Sequence, residues 1–327
     1  MEKNNAITGL RGVVIFLIVF RHFSARYSEI FQDDKSIIFP FSTPNGGTIG
    51  NIIFMMLMGY FMAKSLQVEK YGLRESIKYI VNRYWRFWPS YALAVILISL
   101  TLYVFPLPGR TPNLTTSIVD FFFIIHPGFD NVDGSHWFLT VMLVIQIVLA
   151  SVLLVKSLKI RNLIIICIAI FLFLLIIADL FQNGLLVWGK DMFFYSLITI
   201  IGILIYWYKN KRIIIPIIIL TTALVYLYTS ALSIPIVTTV LMILFAYIVK
   251  YPTSFRILAK FPFIFIGEIS FQWYLVHQNI GYVIMYYLLP KGSISILWIF
   301  VPIMATLAIA YCMNLVLKKL PTKLLNN

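Results

Sequence analysis

The sequence predicts an all-α integral membrane protein, a bundle of about ten transmembrane helices. Apolar residues make up 61% of the 327 residues and charged residues 12%, whereas charged residues account for about 25% of a typical soluble domain. The mean hydropathy is +0.93. Apolar runs of about 20 residues, the length that crosses roughly 30 Å of hydrocarbon, recur along the whole chain.

Ten such runs can be placed, and they leave no room for a soluble domain. We therefore expect one membrane domain over residues 1–327, without a fused soluble domain. The ninth run is long enough to be bent or interrupted. The predicted spans are 7–26, 49–68, 87–106, 137–155, 162–180, 191–208, 213–231, 234–249, 262–289 and 294–317.

The distribution of Lys and Arg predicts that both termini face the cytoplasm, because cytoplasmic loops carry an excess of these residues. With the N-terminus inside, most of the 26 Lys and Arg residues fall on the cytoplasmic side. The outer segments then hold only Arg26, Lys35, Arg110, Lys190 and Lys291. Termini on the same side require an even number of spans, and ten satisfies this requirement.

Several other classes of protein are not predicted. The net charge of +14 does not indicate nucleic-acid binding, because the cations punctuate apolar runs instead of covering one soluble face. Cys167 and Cys312 lie in apolar runs and form no disulfide framework or zinc motif. Arg11 and Arg21 interrupt the first run, so we expect it to be retained and not cleaved as a signal peptide. There is no GxSxG, Walker A, HExxH or GxGxxG motif.

The first span, "LRGVVIFLIVFRH" at 10–22, carries ionisable residues that call for an explanation. Arg11 and His22 are eleven residues apart, about three full turns and a rise of roughly 16 Å, so both project from one helix face. Ionisable groups inside a span by default face a polar interior. The alternative is that Arg11 extends to the inner interface while Arg21 and His22 reach the outer headgroups.

A second candidate site is "YIVNRYWRFWPSY" at 79–91. Arg83 and Arg86 are neighbours on a helix surface, and two adjacent guanidinium groups suit phosphates. Pro89 marks the start or a kink of the third span. The alternative is simple anchoring at the cytoplasmic interface, with Tyr84, Trp85 and Trp88 as an aromatic belt.

The ninth span contains "GEISFQWYLVH" at 267–277, with Glu268 and His277 as candidate functional groups. Nine residues place them on opposite faces of a straight helix, so one shared site would need a break near Gly267 or an interfacial Glu268. The alternatives are that Glu268 is a helix-start residue at the membrane edge and that His277 is a packed, hydrogen-bonded histidine.

The outer loop "HPGFDNVDGSHWFL" at 126–139 holds His126, Asp130, Asp133 and His136. Their spacing matches no familiar metal site, and we expect no metal. We predict a polar loop beside the mouth of a site, in which Asp133 and Trp137 contact sugar hydroxyls. The alternative for His136 and Trp137 is an interfacial aromatic residue with a solvated neighbour.

Four stretches, in order, give the chain a family resemblance: the Arg-x10-His pattern of 10–22, "FMMLMGYFMAKS" at 54–65, "RYWR" at 83–86, and 267–277. The chain resembles the membrane-bound acyltransferase 3 family, whose members modify bacterial surface glycans. In one respect it departs from many members, because "SHWFLTVMLVIQ" at 135–146 stands where they carry Trp-Ser-Leu followed by acidic residues. This version looks more like the branch that includes transferases of enterobacterial common antigen and of poly-glucosamine, and no acidic catalytic partner is expected in that turn.

The resemblance implies an O-acyltransferase of the bacterial cytoplasmic (inner) membrane. The donor would be cytoplasmic acyl-CoA, with acetyl-CoA expected before succinyl-CoA, and the acceptor a polysaccharide or its lipid-linked precursor. Membrane lipids are the other expected partners, nucleic acid is not one, and the oligomeric state is left open.

The resemblance also implies roles for single residues. Arg83 and Arg86 would hold coenzyme A phosphates, Arg11 would orient the donor, and His22 would be the general base or a transient acyl carrier. The catalytic candidates are therefore His22, Arg11, Glu268, His136 and His277. The competing classes are a multispan transporter or flippase, which would show paired interrupted helices that are not found here, and a scaffold, which would leave Arg11 and His22 without a role.

Overall fold

The computed structural model describes residues 5–31, 46–67, 71–110, 112–124, 131–181, 190–229, 233–289 and 296–319. Within these ranges the regular structure is helical and includes no strand. The α-helices are α1 (Asn5–Phe31), α2 (Gly46–Leu66), α3 (Leu73–Val104), α4 (Leu114–Phe122), α5 (Trp137–Ala150), α6 (Leu158–Phe181), α7 (Lys190–Trp207), α8 (Ile214–Thr229), α9 (Ser233–Lys250), α10 (Phe263–Leu288) and α11 (Phe300–Lys318). Short 3₁₀ turns occupy Gly134–His136, Ser151–Leu154 and Ile296–Ile299.

The all-helical membrane fold is confirmed. Each of the ten predicted spans overlaps one helix, and α4 is an additional short helix in a loop. In the described part of the chain, five segments are long and apolar enough to cross a membrane: Asn5–Ser24, Leu73–Val104, Gly134–Leu154, Leu158–Ile176 and Leu297–Lys318. Four further apolar helices are shorter, so the count of ten spans stays a prediction.

Pro89 does not start a helix. Helix α3 runs without interruption from Leu73 to Val104 with Pro89 inside it. A proline inside a helix removes one backbone N–H donor and crowds the preceding turn, and two side chains of the turns just before Pro89 fasten α3 to the end of α4. The Tyr84 hydroxyl donates to the Phe122 carbonyl at 2.8 Å, and Trp88 Nε1 donates to the Phe121 carbonyl at 3.1 Å.

The contacts divide the chain into two compact units. The first comprises Met1–Arg11, Thr48–Val81 and Val144–Ile264. Within it, α2 and α7 cross at glycines: a Cβ on Gly59 would overlap the Thr199 carbonyl, and a Cβ on Gly202 would overlap the Met56 carbonyl. Small residues allow such close approach of helix backbones in membranes.

Arg161 is also part of this first unit and lies at 1% exposure. Its guanidinium donates to the Val155 carbonyl and, through Nη1, to the Leu66 carbonyl at 3.3 Å. The charge distribution predicts a cytoplasmic position for this residue, and the structure adds that its guanidinium donates to the last carbonyl of α2.

The second unit comprises Gly12–Gly47, Asn82–Leu143 and Phe265–Asn327. Helix α10 is its core, and the stretch 273–283 is buried throughout. The Phe16 and Trp273 rings lie 6.4 Å apart, Gln272 Nε2 donates to Ser90 Oγ at 3.4 Å, and Trp273 Nε1 donates to Thr306 Oγ1 at 3.0 Å. These contacts join α10 to α1, α3 and α11.

The contacts of α10 also give the relative directions of these helices. Along α3, Phe87 pairs with Phe271, and just beyond the end of α3 the Pro106 carbonyl accepts from Tyr287, so α3 and α10 run in the same direction. Helix α1 does too, since Phe16 meets Trp273 and Phe23 meets Tyr282. Helix α11 runs the opposite way, because Phe265 packs on Tyr311 while Trp273 bonds Thr306.

Candidate active site

His277 lies at the centre of the second unit and is fully buried. Its Nδ1 is 2.7 Å from the Tyr274 carbonyl, and a carbonyl only accepts, so Nδ1 carries the proton. Nε2 is therefore a bare lone pair. It has no hydrogen-bond partner among the described residues. A buried polar atom without a partner is uncommon in proteins and points to a functional group.

The His22 ring packs directly against His277. The two ring centroids are 5.1 Å apart at an interplanar angle of 62°. His22 Nδ1 lies 3.5 Å from the Tyr282 hydroxyl, which accepts from Gln278 Nε2 at 3.4 Å. Two imidazoles from helices that are distant in sequence therefore share one site. The sequence did not predict this pairing, because the two residues lie near opposite ends of the chain.

Gly281 allows α1 and α10 to come together at this level. A Cβ on Gly281 would overlap the ring of Phe23. Phe23 is itself buried and lies 6.4 Å from the His277 ring between centroids. Because Gly281 has no side chain, α1 can pack closely enough for His22 and Phe23 to contact α10.

Asp133 is buried in the same unit, with both carboxylate oxygens occupied. Oδ1 accepts from Ser135 N at 2.9 Å and Ser135 Oγ at 2.8 Å, and Oδ2 accepts from Asn279 N at 3.0 Å. Burial alone would raise the pKa of the carboxyl, but His136, His277 and the backbone N–H donors together lower the pKa below its ordinary value. The carboxylate is enclosed and fastens the loop to α10, and contact of Asp133 with sugar hydroxyls stays a prediction.

His136 is likewise enclosed, at 1% exposure. Its Nε2 donates to the Leu275 carbonyl at 3.0 Å, and its Nδ1 is a second buried nitrogen without a partner among the described residues. The ring centroid of Tyr91 is 5.1 Å away. His136 is therefore no solvated rim residue, while Trp137 is half-buried and packs on Phe138.

Arg110 brings a positive charge to the edge of this site. Its guanidinium carbon lies 4.9 Å from the centroid of the Tyr282 ring, and Nη1 donates to Asn279 Oδ1 at 3.2 Å. Sequence reasoning counted Arg110 only as an outer-loop cation and did not single out Asn279 or Tyr282. The three consecutive polar residues His277, Gln278 and Asn279 inside an apolar run were the available signal.

The other predicted residues differ in exposure and in their place along the helices. Glu268 is exposed, and because α10 is unbroken through Gly267, it stays on the face opposite His277. Arg11 is half-buried and belongs to the first unit. Arg83 is half-buried and Arg86 exposed, both near the start of the second unit's part of α3. His126 and Asp130 lie outside the described residues.

The fold and this site define an all-helical membrane protein with buried, partly unpaired imidazoles in its core. The chain matches the acyltransferase 3 family, described as an acyltransferase domain, over residues 4–315. It therefore belongs to this family and is a multipass membrane acyltransferase. The comparison with curated proteins and the comparison with solved structures give no match.

We expect Asp133→Asn to destabilise the protein by about 1–3 kcal/mol, because an amide nitrogen would face an N–H donor that now meets carboxylate oxygen. A carboxyl whose pKa is lower in the folded state than in the unfolded state stabilises the folded protein. This stabilisation is complete above the unfolded-state pKa of about 3.9 and is lost as the pH falls through the folded-state pKa. The difference in thermal unfolding between wild type and variant should therefore be full at pH 7 and shrink below about pH 4.

The matched control is Glu75→Gln, which removes a carboxylate from the first turn of α3 and should cost only a few tenths of a kcal/mol. A pH-independent difference for Asp133→Asn would contradict the assignment of an ionised, structure-bearing carboxylate.

Proposed function

We propose that the protein is an O-acyltransferase that moves an acyl group, expected to be acetyl, from cytoplasmic acyl-CoA to a hydroxyl of a glycan. The acceptor is a cell-surface or exported polysaccharide or its lipid-linked precursor, and the enzyme resides in the bacterial cytoplasmic membrane. The observation that carries the proposal is the buried lone pair of His277 Nε2 beside the His22 ring. An imidazole with an unprotonated nitrogen in an enclosed site is suited to take a proton from a hydroxyl.

The reaction needs one proton transfer in each direction. The acceptor oxygen attacks the thioester carbonyl while its proton passes to the histidine pair. The new C–O bond forms, the C–S bond breaks, and the departing thiolate of coenzyme A takes the proton back. The His277 tautomer, held by the Tyr274 carbonyl, keeps Nε2 available as the base, and His22 lies against it as the second imidazole of the unit.

Arg110 and Tyr282 supply the charge and the donor that such a step requires. The Tyr282 hydroxyl accepts from Gln278 Nε2 and lies 3.5 Å from His22 Nδ1, so its O–H is a donor group at the histidine pair. Arg110 lies over the Tyr282 ring and adds positive charge beside it. A prearranged donor and cation stabilise the oxyanion that develops on the carbonyl oxygen during acyl transfer.

The donor would extend from Arg83 and Arg86 to the histidine pair. Arg86 lies one turn before Ser90 in α3, and Ser90 bonds Gln272, which lies five residues before His277 in the parallel helix α10. At 1.5 Å per residue this is about 14 Å along the helix axes, a gap that an extended pantetheine arm bridges. Phosphates at the arginines would then place the thioester beside the imidazoles.

We expect Arg83→Ala and Arg86→Ala each to weaken acyl-CoA binding about 10–100-fold, the usual value of a charged hydrogen bond. Lysine should restore only part of the affinity, because it lacks the two-pronged guanidinium. Calorimetry with coenzyme A and with coenzyme A lacking its 3′-phosphate measures this, and Arg74→Ala on the same helix is the control. Equal losses for both ligands would mean that the arginines do not hold that phosphate.

Both termini are proposed to be cytoplasmic, with ten spans. The helix directions support termini on one common side, since α1, α3 and α10 correspond to the first, third and ninth spans and run together, while α11 as the tenth runs against them. A reporter fused to the C-terminus should read cytoplasmic, and one inserted after Asp130 should read external. Both reporters on one side would rule out the arrangement.

Mass spectrometry of the surface glycan with and without an intact gene tests the overall function. We expect the glycan of the intact strain to be heavier by one acyl group per modified repeat. An unmodified glycan present in reduced amount would instead indicate a transporter.

A further inference from the structure

A groove of about 950 Å³ lies between α8 and α9 in the first unit. Aliphatic side chains from both helices line most of it, including Ile215, Ile219, Ile236 and Ile243. Its two threonine hydroxyls are already satisfied: Thr222 Oγ1 and Thr239 Oγ1 are 2.6 Å apart, and each also bonds a backbone carbonyl of its own helix, Ile218 at 2.9 Å and Pro235 at 2.6 Å. The floor of the groove is therefore suited to bind an apolar group.

One end of the groove is strongly basic. Four of its lining residues are cations, three from the turn between α7 and α8 and one from the end of α9, and its lining includes no Asp or Glu: Lys209, Lys211, Arg212 and Lys250. Tyr247 and Tyr251 lie at the same end. Lys250 Nζ is 5.0 Å from the centroid of the Tyr251 ring. Basic residues mixed with tyrosine are typical of the interface with anionic headgroups.

The dimensions match one lipid leaflet. The lining residues on α8 extend from Ile214 to Tyr226, which is about 18 Å at the helical rise. One leaflet of the hydrocarbon core is about 15 Å deep. An acyl chain of a membrane lipid can therefore lie along the groove while its phosphate stays at the basic end.

We propose that this groove binds an anionic phospholipid from the surrounding bilayer, with its phosphate held by Lys211 and Arg212 and one acyl chain between α8 and α9. The basic end of the groove favours an anionic lipid over a zwitterionic one. The aliphatic floor, whose threonine hydroxyls already have hydrogen-bond partners, favours a hydrocarbon chain over a sugar. The lining includes neither His22 nor His277, and the proposal does not depend on the proposed acyl transfer.

The test measures lipid binding to the purified full-length protein by native mass spectrometry, using phosphatidylglycerol and phosphatidylcholine with identical acyl chains. The double variant Lys211→Gln/Arg212→Gln should weaken phosphatidylglycerol binding about thirty-fold, the value expected for two interfacial cations. Phosphatidylcholine binding should weaken less, because its choline cation already offsets the charge of its phosphate. Ala223→Trp, which fills the groove, should weaken both lipids. The controls are Lys156→Gln/Lys159→Gln and Leu220→Trp, since these residues lie outside the lining.

Thermal unfolding of each variant separates loss of the site from loss of the fold. Equal affinity of the wild type for the two lipids, or equal effects of groove and control variants, would overturn the proposal. So would phosphatidylglycerol binding that Ala223→Trp leaves intact, because the chain would then lie elsewhere. Displacement of one phosphatidylglycerol by one acyl-CoA would also overturn it and would assign the groove to the donor.

Discussion

We expect His277→Gln to lower the rate of glycan acylation by about 10²–10⁴-fold, the contribution of a general base. Glutamine keeps the size and polarity of the side chain but has no basic nitrogen to replace Nε2. Because the other imidazole nitrogen bonds a backbone carbonyl of the same helix, folding and acyl-CoA binding should persist. His22→Gln should show a similar loss, since its ring lies 5.1 Å from that of His277.

The double variant distinguishes a histidine pair from two independent residues. When two groups act as one unit, the rate losses caused by removing each of them do not add. The double variant should therefore be about as slow as the slower single variant. The assay is acyl transfer to the isolated glycan, with acyl-CoA affinity measured on the same preparations. Arg21→Ala, next to His22 on α1, is the control and should retain most activity.

Other outcomes would reassign the chemistry. Losses that multiply would mean that the two histidines act in separate steps. A His22→Gln or His277→Gln protein that acylates its glycan near the wild-type rate would remove that residue from the mechanism. Acid quenching followed by mass spectrometry tests the acyl-carrier role, since an acyl-histidine would add one acyl mass to the α1 peptide.

The second large effect is on folding. We expect Gly202→Ala and Gly59→Ala each to destabilise the protein by about 3 kcal/mol, the upper end for overpacking. The added Cβ atoms would overlap the Met56 and Thr199 carbonyls, and a helix backbone cannot move aside as a side chain does. The two changes act on one helix crossing, so the double variant should cost less than the sum.

Thermal unfolding in detergent, followed by size-exclusion chromatography, measures this effect. Gly134→Ala is the control, because its Cβ would lie 3.7 Å from Gln278 Oε1, an ordinary contact. Unfolding temperatures for Gly202→Ala and Gly134→Ala that agree within a degree or so would show that α2 and α7 do not pack at these glycines.

The sequence by itself determined the class, the helical segments and several residues of the candidate site. Mean hydropathy is a property of consecutive residues, so apolar runs long enough to cross a bilayer can be recognised without the tertiary structure. An ionisable residue inside such a run is recognisable for the same reason, and this is how His22 and His277 were singled out. Family membership over residues 4–315 agrees with the order of the motifs.

Only the tertiary structure decided which of these residues meet. Helical periodicity tells which residues share a face, but it does not tell which other helix that face contacts. The pairing of His22 with His277 depends on α1 packing against α10 at Gly281, and the burial of Asp133 depends on a loop folding onto Asn279. Glu268 stays on the helix face opposite His277 because α10 is unbroken, and the Arg161 guanidinium donates to the Leu66 carbonyl at the end of α2. These outcomes depend on helix rotation and close packing between distant segments, which no local pattern encodes.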